Sequence, residues 1–188
     1  MVDSLWLMVE CMKLEFEQHF QKVIQLEGGF KLERNPTESE DTYAGIYRKA
    51  HPDWPGWRYI DRGETPPPEL VRRFYYDHYY RPLEAIANPE IRFAIFEFGV
   101  NAGLKQAVKI AQGVAGTSPD GIIGPKTLAA LNAMEPDDFK KSYLIARIKH
   151  YLDLANKDPQ RYGIYLRGWL NRAFTGLTVL NPPATHEG

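Results

Sequence analysis

Residues 16–29 read FEQHFQKVIQLEGG, and this stretch decides how the chain begins to fold. Phe16, Phe20, Val23 and Ile24 recur at the spacing of an amphipathic helix. At ~100° per residue, Glu27 falls only about 20° from Phe16 around the axis, near the middle of that apolar face. Gly28 and Gly29 follow at once, and glycine just past a helix stops it. A carboxyl aimed into a core loses solvent, so its pKa is expected to rise until it can donate a proton near neutral pH. The alternative is a Glu at a fraying helix end that reaches water.

The 188-residue chain has the length of one compact domain with room for a small helical appendage. Its 44% hydrophobic and 25% charged content is that of an ordinary globular protein, so a disordered chain is excluded. The net charge of -1 gives no reason to expect nucleic acid or an anionic membrane as partner. Cys11 is the single cysteine, which rules out an internal disulfide and a cysteine-based metal cluster. The sequence has no HExxH pair and no Gly-x-Ser-x-Gly elbow, so no metal site and no serine nucleophile is expected. No stretch has the length of a membrane-spanning helix. Residues 1–12 carry Asp3 and Glu10 without a basic leader, so no signal peptide is expected and the chain should start in the cytoplasm. Leu5, Met8, Val9 and Met12 either extend the first helix or belong to an added segment ahead of a start at Met12.

Working outward, residues 35–61 hold Pro36, Gly45, Pro52, Pro55 and Gly56 and predict an irregular region with at most short strands. Thr65 before three prolines predicts a helix running through Leu70, Val71, Phe74 and Tyr75 to about Tyr80, stopped by Pro82. Asn88-Pro89 opens a helix that is apolar on every side from Ile91 to Val100, the mark of a central element. Further helices are expected from Leu104 to Val114 and from Pro125 to about Ala133. Asp137 or Asp138 is expected to cap a longer one, with Phe139, Leu144, Ile148, Tyr151, Leu152 and Ala155 inward. The last is expected from Tyr162 to Phe174, and Thr175 onward reads as a loose tail. The whole is mainly α, with about seven helices.

With nucleophilic triads and metals disfavoured, carboxylates carry the chemistry. Hydrolysis of a glycosidic bond uses one protonated acid and a second carboxylate or a positioned water. Glu27 is the acid candidate, and Glu38, Glu40 or Asp41 is the second carboxylate unless these form a solvated acidic loop. Thr42 beside Gly45 can orient water, or belongs to a turn entering a short strand. Trp54 and Trp57 either stack on sugars or cover the loop. Asn101, between Gly99 and Gly103, either bonds a ligand or caps its helix.

Five motifs in order resemble glycoside hydrolase family 108, the N-acetylmuramidases of bacteria and phages. They are Glu27-Gly28-Gly29-Phe30, Thr42-Tyr43-Ala44-Gly45-Ile46, Phe98-Gly99-Val100-Asn101-Ala102-Gly103, the Ala107 to Leu131 region with Gln112, Asp120-Gly121-Ile122-Ile123-Gly124-Pro125 and Thr127-Leu128, and Gly168-Trp169-Leu170-Asn171-Arg172. The loop over residues 33–41 departs from the family, being one residue longer and without its glycines. The resemblance implies a lysozyme-like helical fold with an irregular loop region after the first helix. It implies a catalytic region over 12–104, a peptidoglycan-binding-like region over 105–175 packed on it, and terminal extensions over 1–11 and 176–188. It puts the catalytic residue on Glu27. Asp41 is the first choice of second carboxylate because it directly precedes the Thr42 motif, and Thr42 is the candidate to position water if no loop carboxylate serves. Gly28, Gly29, Tyr43, Gly45 and Asn101 are expected to meet the substrate, the glycan strands of peptidoglycan, with no cofactor and no metal. Such a protein would leave the cytoplasm by release or export to reach the wall. Competing classes are a non-catalytic peptidoglycan-binding or secretion-accessory protein and a glycosidase acting on chitin or chitosan.

Overall fold

The computed structural model describes residues 2–34 and 40–180, and the side chains of residues 13–34 and 40–175. The chain divides into two compact units at Arg81/Pro82. The first unit holds α1 (Val2–Leu26), strands β1 (Leu32–Glu33), β2 (Thr42–Tyr43) and β3 (Ile46–Tyr47), then α2 (Trp57–Ile60) and α3 (Pro68–Tyr75). The strands form one antiparallel sheet in the order β1-β2-β3. The second unit holds α4 (Pro89–Ala102), α5 (Leu104–Val114), α6 (Pro125–Asn132), α7 (Pro136–Lys157) and α8 (Pro159–Leu180). The fold is mainly α, with eight α-helices among the described residues. The helix not anticipated is the short α2, inside the region read as irregular. No helix among the described residues is long and apolar enough to cross a membrane.

In the first unit, the apolar face of α1 packs on aromatics from α3 and the turn after it. Phe20 meets Tyr75 edge-on at 5.5 Å between ring centres, and Phe16 meets Tyr80 at 5.0 Å. Tyr80 also donates its hydroxyl to Glu15 at 2.6 Å, so a phenol in this apolar contact keeps a polar partner. α3 starts two residues later than a cap at Thr65 predicts. Thr65, Pro66 and Pro67 each precede a proline, which excludes them from the α region, and only Pro68 is free to open the helix. It also ends early, widening at Tyr76–Tyr80 into a π-helical turn and then tightening into a 3-10 turn at Arg81–Leu83. Pro82 has no N–H to give the carbonyl of His78, and the ladder changes register ahead of it.

In the second unit, α4 is central. Asn88 caps it, its side-chain oxygen accepting from the backbone of Glu90 at 2.9 Å and Ile91 at 3.1 Å. Every residue from Ile91 to Gly99 is buried, including Arg92 and Glu97. Arg92 donates to the Ile86 carbonyl. Glu97, 1% exposed, is bracketed by Arg147 of α7 at 2.7 Å and Arg172 of α8 at 3.1 Å. Gln112, fully buried on α5, orders the loop before α6 by donating to Asp120, Ile122 and Thr127 and accepting from Gly121.

α7 and α8 differ from the sequence reading. Pro136 opens α7 with Glu135 at the cap position, because its fixed φ suits the first turn; Asp137 and Asp138 then lie inside the helix. The buried stripe is Phe139, Tyr143, Arg147, Tyr151 and Ala155, at steps of four, while Leu152 stays 41% exposed. The shift was hidden because one of those inward positions is an arginine, buried by its pairing with Glu97. α8 starts at Pro159 and continues to Leu180, so residues 175–180 are helical where a loose tail was expected; residues 181–188 lie outside the described residues.

Because α4 packs on α5, α7 and α8, an isolated fragment of residues 105–175 lacks the centre of its own unit. It is expected to give no cooperative melt by circular dichroism. Substituting Glu97→Ala leaves the buried Arg147 and the partly buried Arg172 guanidinium groups without their carboxylate. The expected loss is about 3–5 kcal/mol, read by denaturant unfolding of the full chain.

Candidate active site

The site is built on how α1 stops. Gly28 donates its N–H to the Gln25 carbonyl at 3.2 Å and Gly29 to that of Ile24 at 2.8 Å, the paired bonds of a Schellman motif. That motif needs a left-handed residue, and Gly28 supplies φ 81° with Gly29 at φ 83° after it. Glu27 is thereby the last residue before the reversal, half-buried, with its Oε1 atom shut off from solvent.

The β2–β3 hairpin closes over this carboxyl. Its turn is Ala44-Gly45, with φ 49° and 76°, both left-handed as a two-residue I′ turn requires. Ala44 holds a backbone conformation that costs an L-residue about 1–2 kcal/mol. Two hydrogen bonds keep it there: its N–H donates to Lys31 at 3.0 Å, and the buried Tyr75 hydroxyl donates to its carbonyl at 2.8 Å. Gly45 then lies directly on Glu27. A Cβ at this position would sit 2.8 Å from Glu27 Oε2 and 2.5 Å from the Tyr75 hydroxyl. Tyr79, on the π-helical turn, joins them: burial first, and the Glu27 charge second, push its phenol pKa up.

The other sequence candidates have these places in their own units. Asp41 is half-buried and accepts from Arg34 at 2.8 Å, while its carbonyl accepts from the Arg48 backbone at 3.0 Å. Thr42 is paired in the sheet opposite Glu33 and Tyr47. Glu40 is half-buried, and Glu38 lies outside the described residues. Tyr43 points into the core, 4% exposed and stacked on Trp54 at 5.9 Å, where burial pushes its phenol pKa up. Trp54 and Trp57 cover the loop: both are buried, and their indole N–H groups donate to the Leu70 and His51 carbonyls. Asn101 belongs to the second unit. It sits in the last turn of α4 and not at a cap, and its side-chain oxygen accepts from the Tyr151 hydroxyl at 2.7 Å. Among the described residues no cluster of three or more His, Cys, Asp and Glu is arranged to hold a metal ion.

Sequence reasoning missed Tyr75 and Tyr79. Their signal was the aromatic run Phe74-Tyr75-Tyr76-Asp77-His78-Tyr79-Tyr80, but a change of helical register inside it blurs which side each ring takes. Gly45→Ala is expected to be damaging twice over, through its positive φ and through the Cβ that would displace Glu27. A displacement of ~1 Å at a reacting group costs about 10²-fold in rate, so hydrolysis should fall by about that factor while circular dichroism stays near wild type.

Comparison with known proteins accords with this geometry. The description "Glycosyl hydrolase 108" matches residues 20–103, a span that contains Glu27, the hairpin, Tyr75 and Tyr79. The description "Predicted Peptidoglycan domain" matches residues 106–174. No curated protein matches the chain. The solved structure of Brucella abortus SagA is similar with a TM-score of 0.68 and 22% identity, covering 89% of this chain and 94% of that one. At that identity the likeness is one of fold. A half-buried carboxyl held under a strained turn thus falls within a stretch similar to glycosyl hydrolase 108, followed by a stretch similar to a predicted peptidoglycan domain, and the two likenesses together support a peptidoglycan-directed glycoside hydrolase.

Proposed function

We propose that the chain is an N-acetylmuramidase, cleaving the β-1,4 bond between N-acetylmuramic acid and N-acetylglucosamine with Glu27 as general acid. The observation that carries this reading is the seat of Glu27. The carboxyl is fixed by the end of α1 on one side and by the Ala44-Gly45 turn on the other, with Tyr75 beside it. A carboxyl so held gives its proton to the glycosidic oxygen as the C–O bond breaks and positive charge develops on the sugar ring. Gly28 and Gly29 leave the approach free of side chains, so a bulky glycan can come close to the acid.

Asp41 and Thr42 supply the other half of the reaction. Asp41 serves as base or nucleophile once its ion pair with the exposed Arg34 opens, and Thr42 orients the attacking water. In the second unit, the Asn101 side-chain oxygen is committed to Tyr151, and its amide N–H groups are its remaining donors.

Glu27→Gln is the direct test. Glutamine keeps the shape without a proton to give, and loss of general-acid help costs about 10²–10⁴ in rate. Lysis of purified sacculi should fall by that amount with an unchanged melting temperature, and mass analysis of wild-type products should find muramic acid at the new reducing end. Lysis retained by folded Glu27→Gln protein would remove Glu27 from the mechanism.

A further inference from the structure

α3 carries two neighbouring buried aromatics that serve different places. Tyr75 closes on Ala44, Gly45 and Glu27. Phe74 instead floors a cavity of about 570 Å³ that none of those residues lines. That volume lies within the range of pockets that take small ligands. His78 lies flat on Phe74 at 4.2 Å between ring centres, and His51 stands edge-on to it at 4.7 Å. Asp53, Trp54 and Arg73 complete the wall.

The polar groups here are arranged for a neutral ligand rich in hydroxyls. His78 Nδ1 lies 2.9 Å from the Phe74 carbonyl, which can only accept, so Nδ1 carries the proton of that bond. Burial, and His78 beside it, hold the His51 pKa below the ordinary histidine value. Neutral His51 offers one donor and one acceptor, and among the described residues its ring makes no hydrogen bond. Asp53 is exposed and makes no ion pair among the described residues. Arg73 lies 3.5 Å from Asp77, which Arg81 also approaches at 3.2 Å. A carboxylate ligand would therefore find its cation already engaged and Asp53 repelling it. A sugar finds the exposed His78 ring, stacked on Phe74, for its apolar face, and acceptors on His51 and Asp53 for its hydroxyl and amide protons.

We propose that this cavity is a second saccharide site, binding an N-acetylated sugar of a glycan strand away from Glu27. The choice of sugar rests on the glycan-directed reading above; the site itself requires nothing of Glu27. Its role is to hold a neighbouring stretch of glycan while the acid works.

The test is an NMR titration of the full chain with N,N′-diacetylchitobiose and, separately, with a sugar-free stem tripeptide, following the His51 and His78 ring signals. The disaccharide should shift both rings and the tripeptide neither. The double variant Asp53→Ala, His51→Gln should weaken that binding about tenfold, as expected for two lost hydrogen bonds, and release protein from sacculi. Its hydrolysis of short soluble glycans should match wild type, and its circular dichroism should be unchanged. Histidine signals that ignore the disaccharide, or respond only to the tripeptide, would overturn the proposal. Failure of wild-type protein to cleave any glycan would instead overturn the muramidase reading, and the two results are read in separate assays.

Discussion

An L-residue with a side chain does not hold φ near +80° without strain, and Gly28, Gly29 and Gly45 all take that conformation in the first unit. From this constraint the site follows in order. Gly28 lets the backbone reverse after Glu27, so α1 ends with its last apolar turn still packed and its carboxyl at the end of that face. Gly45 lets the hairpin turn within two residues and brings its backbone to rest on the same carboxyl. Ala44, between them, has a Cβ and no such freedom. Its strain is tolerated because Lys31 and Tyr75 hold both of its peptide groups in place. Strained backbone of this kind persists only where its surroundings over-determine it, and such places are commonly functional.

The second unit is governed by a different rule, that buried charge must be matched. Glu97 lies at the centre of the most apolar helix of the chain, and its two arginine partners come from α7 and α8. Replacing such a cluster with apolar side chains is often neutral for stability, so its value lies in fixing which faces of three helices meet. Arg147 does this while also covering the face of Phe98 at 4.6 Å. The stretch matched as a predicted peptidoglycan domain begins after α4, yet the helices over residues 106–174 are packed around α4. The two sequence families therefore meet inside one core and are not joined by a linker there.

Much of this was legible from local rules. The periodicity of Phe16 to Ile24, the stop at Gly28, the cap at Asn88 and the opening prolines of α4 and α6 act through neighbours a few residues away. Where several local rules compete, the sequence reading slipped. Three consecutive prolines each forbid the helix that the one before would start, and so α3 begins at the last of them. On α7, hydrophobicity favoured Leu152 as an inward residue, whereas the packed stripe uses Arg147, which no scale of apolarity would choose.

By itself the sequence determined the stop of α1, with Glu27 at its end, and the starts of α4, α5 and α6, because backbone geometry and capping are decided there within a turn or two of chain. It also determined the order of the five motifs, and with it the resemblance to glycoside hydrolase family 108. Only the tertiary structure decided what surrounds Glu27 and what neutralises Glu97. Tyr75 reaches Ala44 across 31 residues and Arg172 reaches Glu97 across 75. Contacts of that span depend on which faces the helices present after packing, and on a π-helical turn that rotates those faces at the point where Tyr79 is set. Periodicity counted along the chain has no access to either.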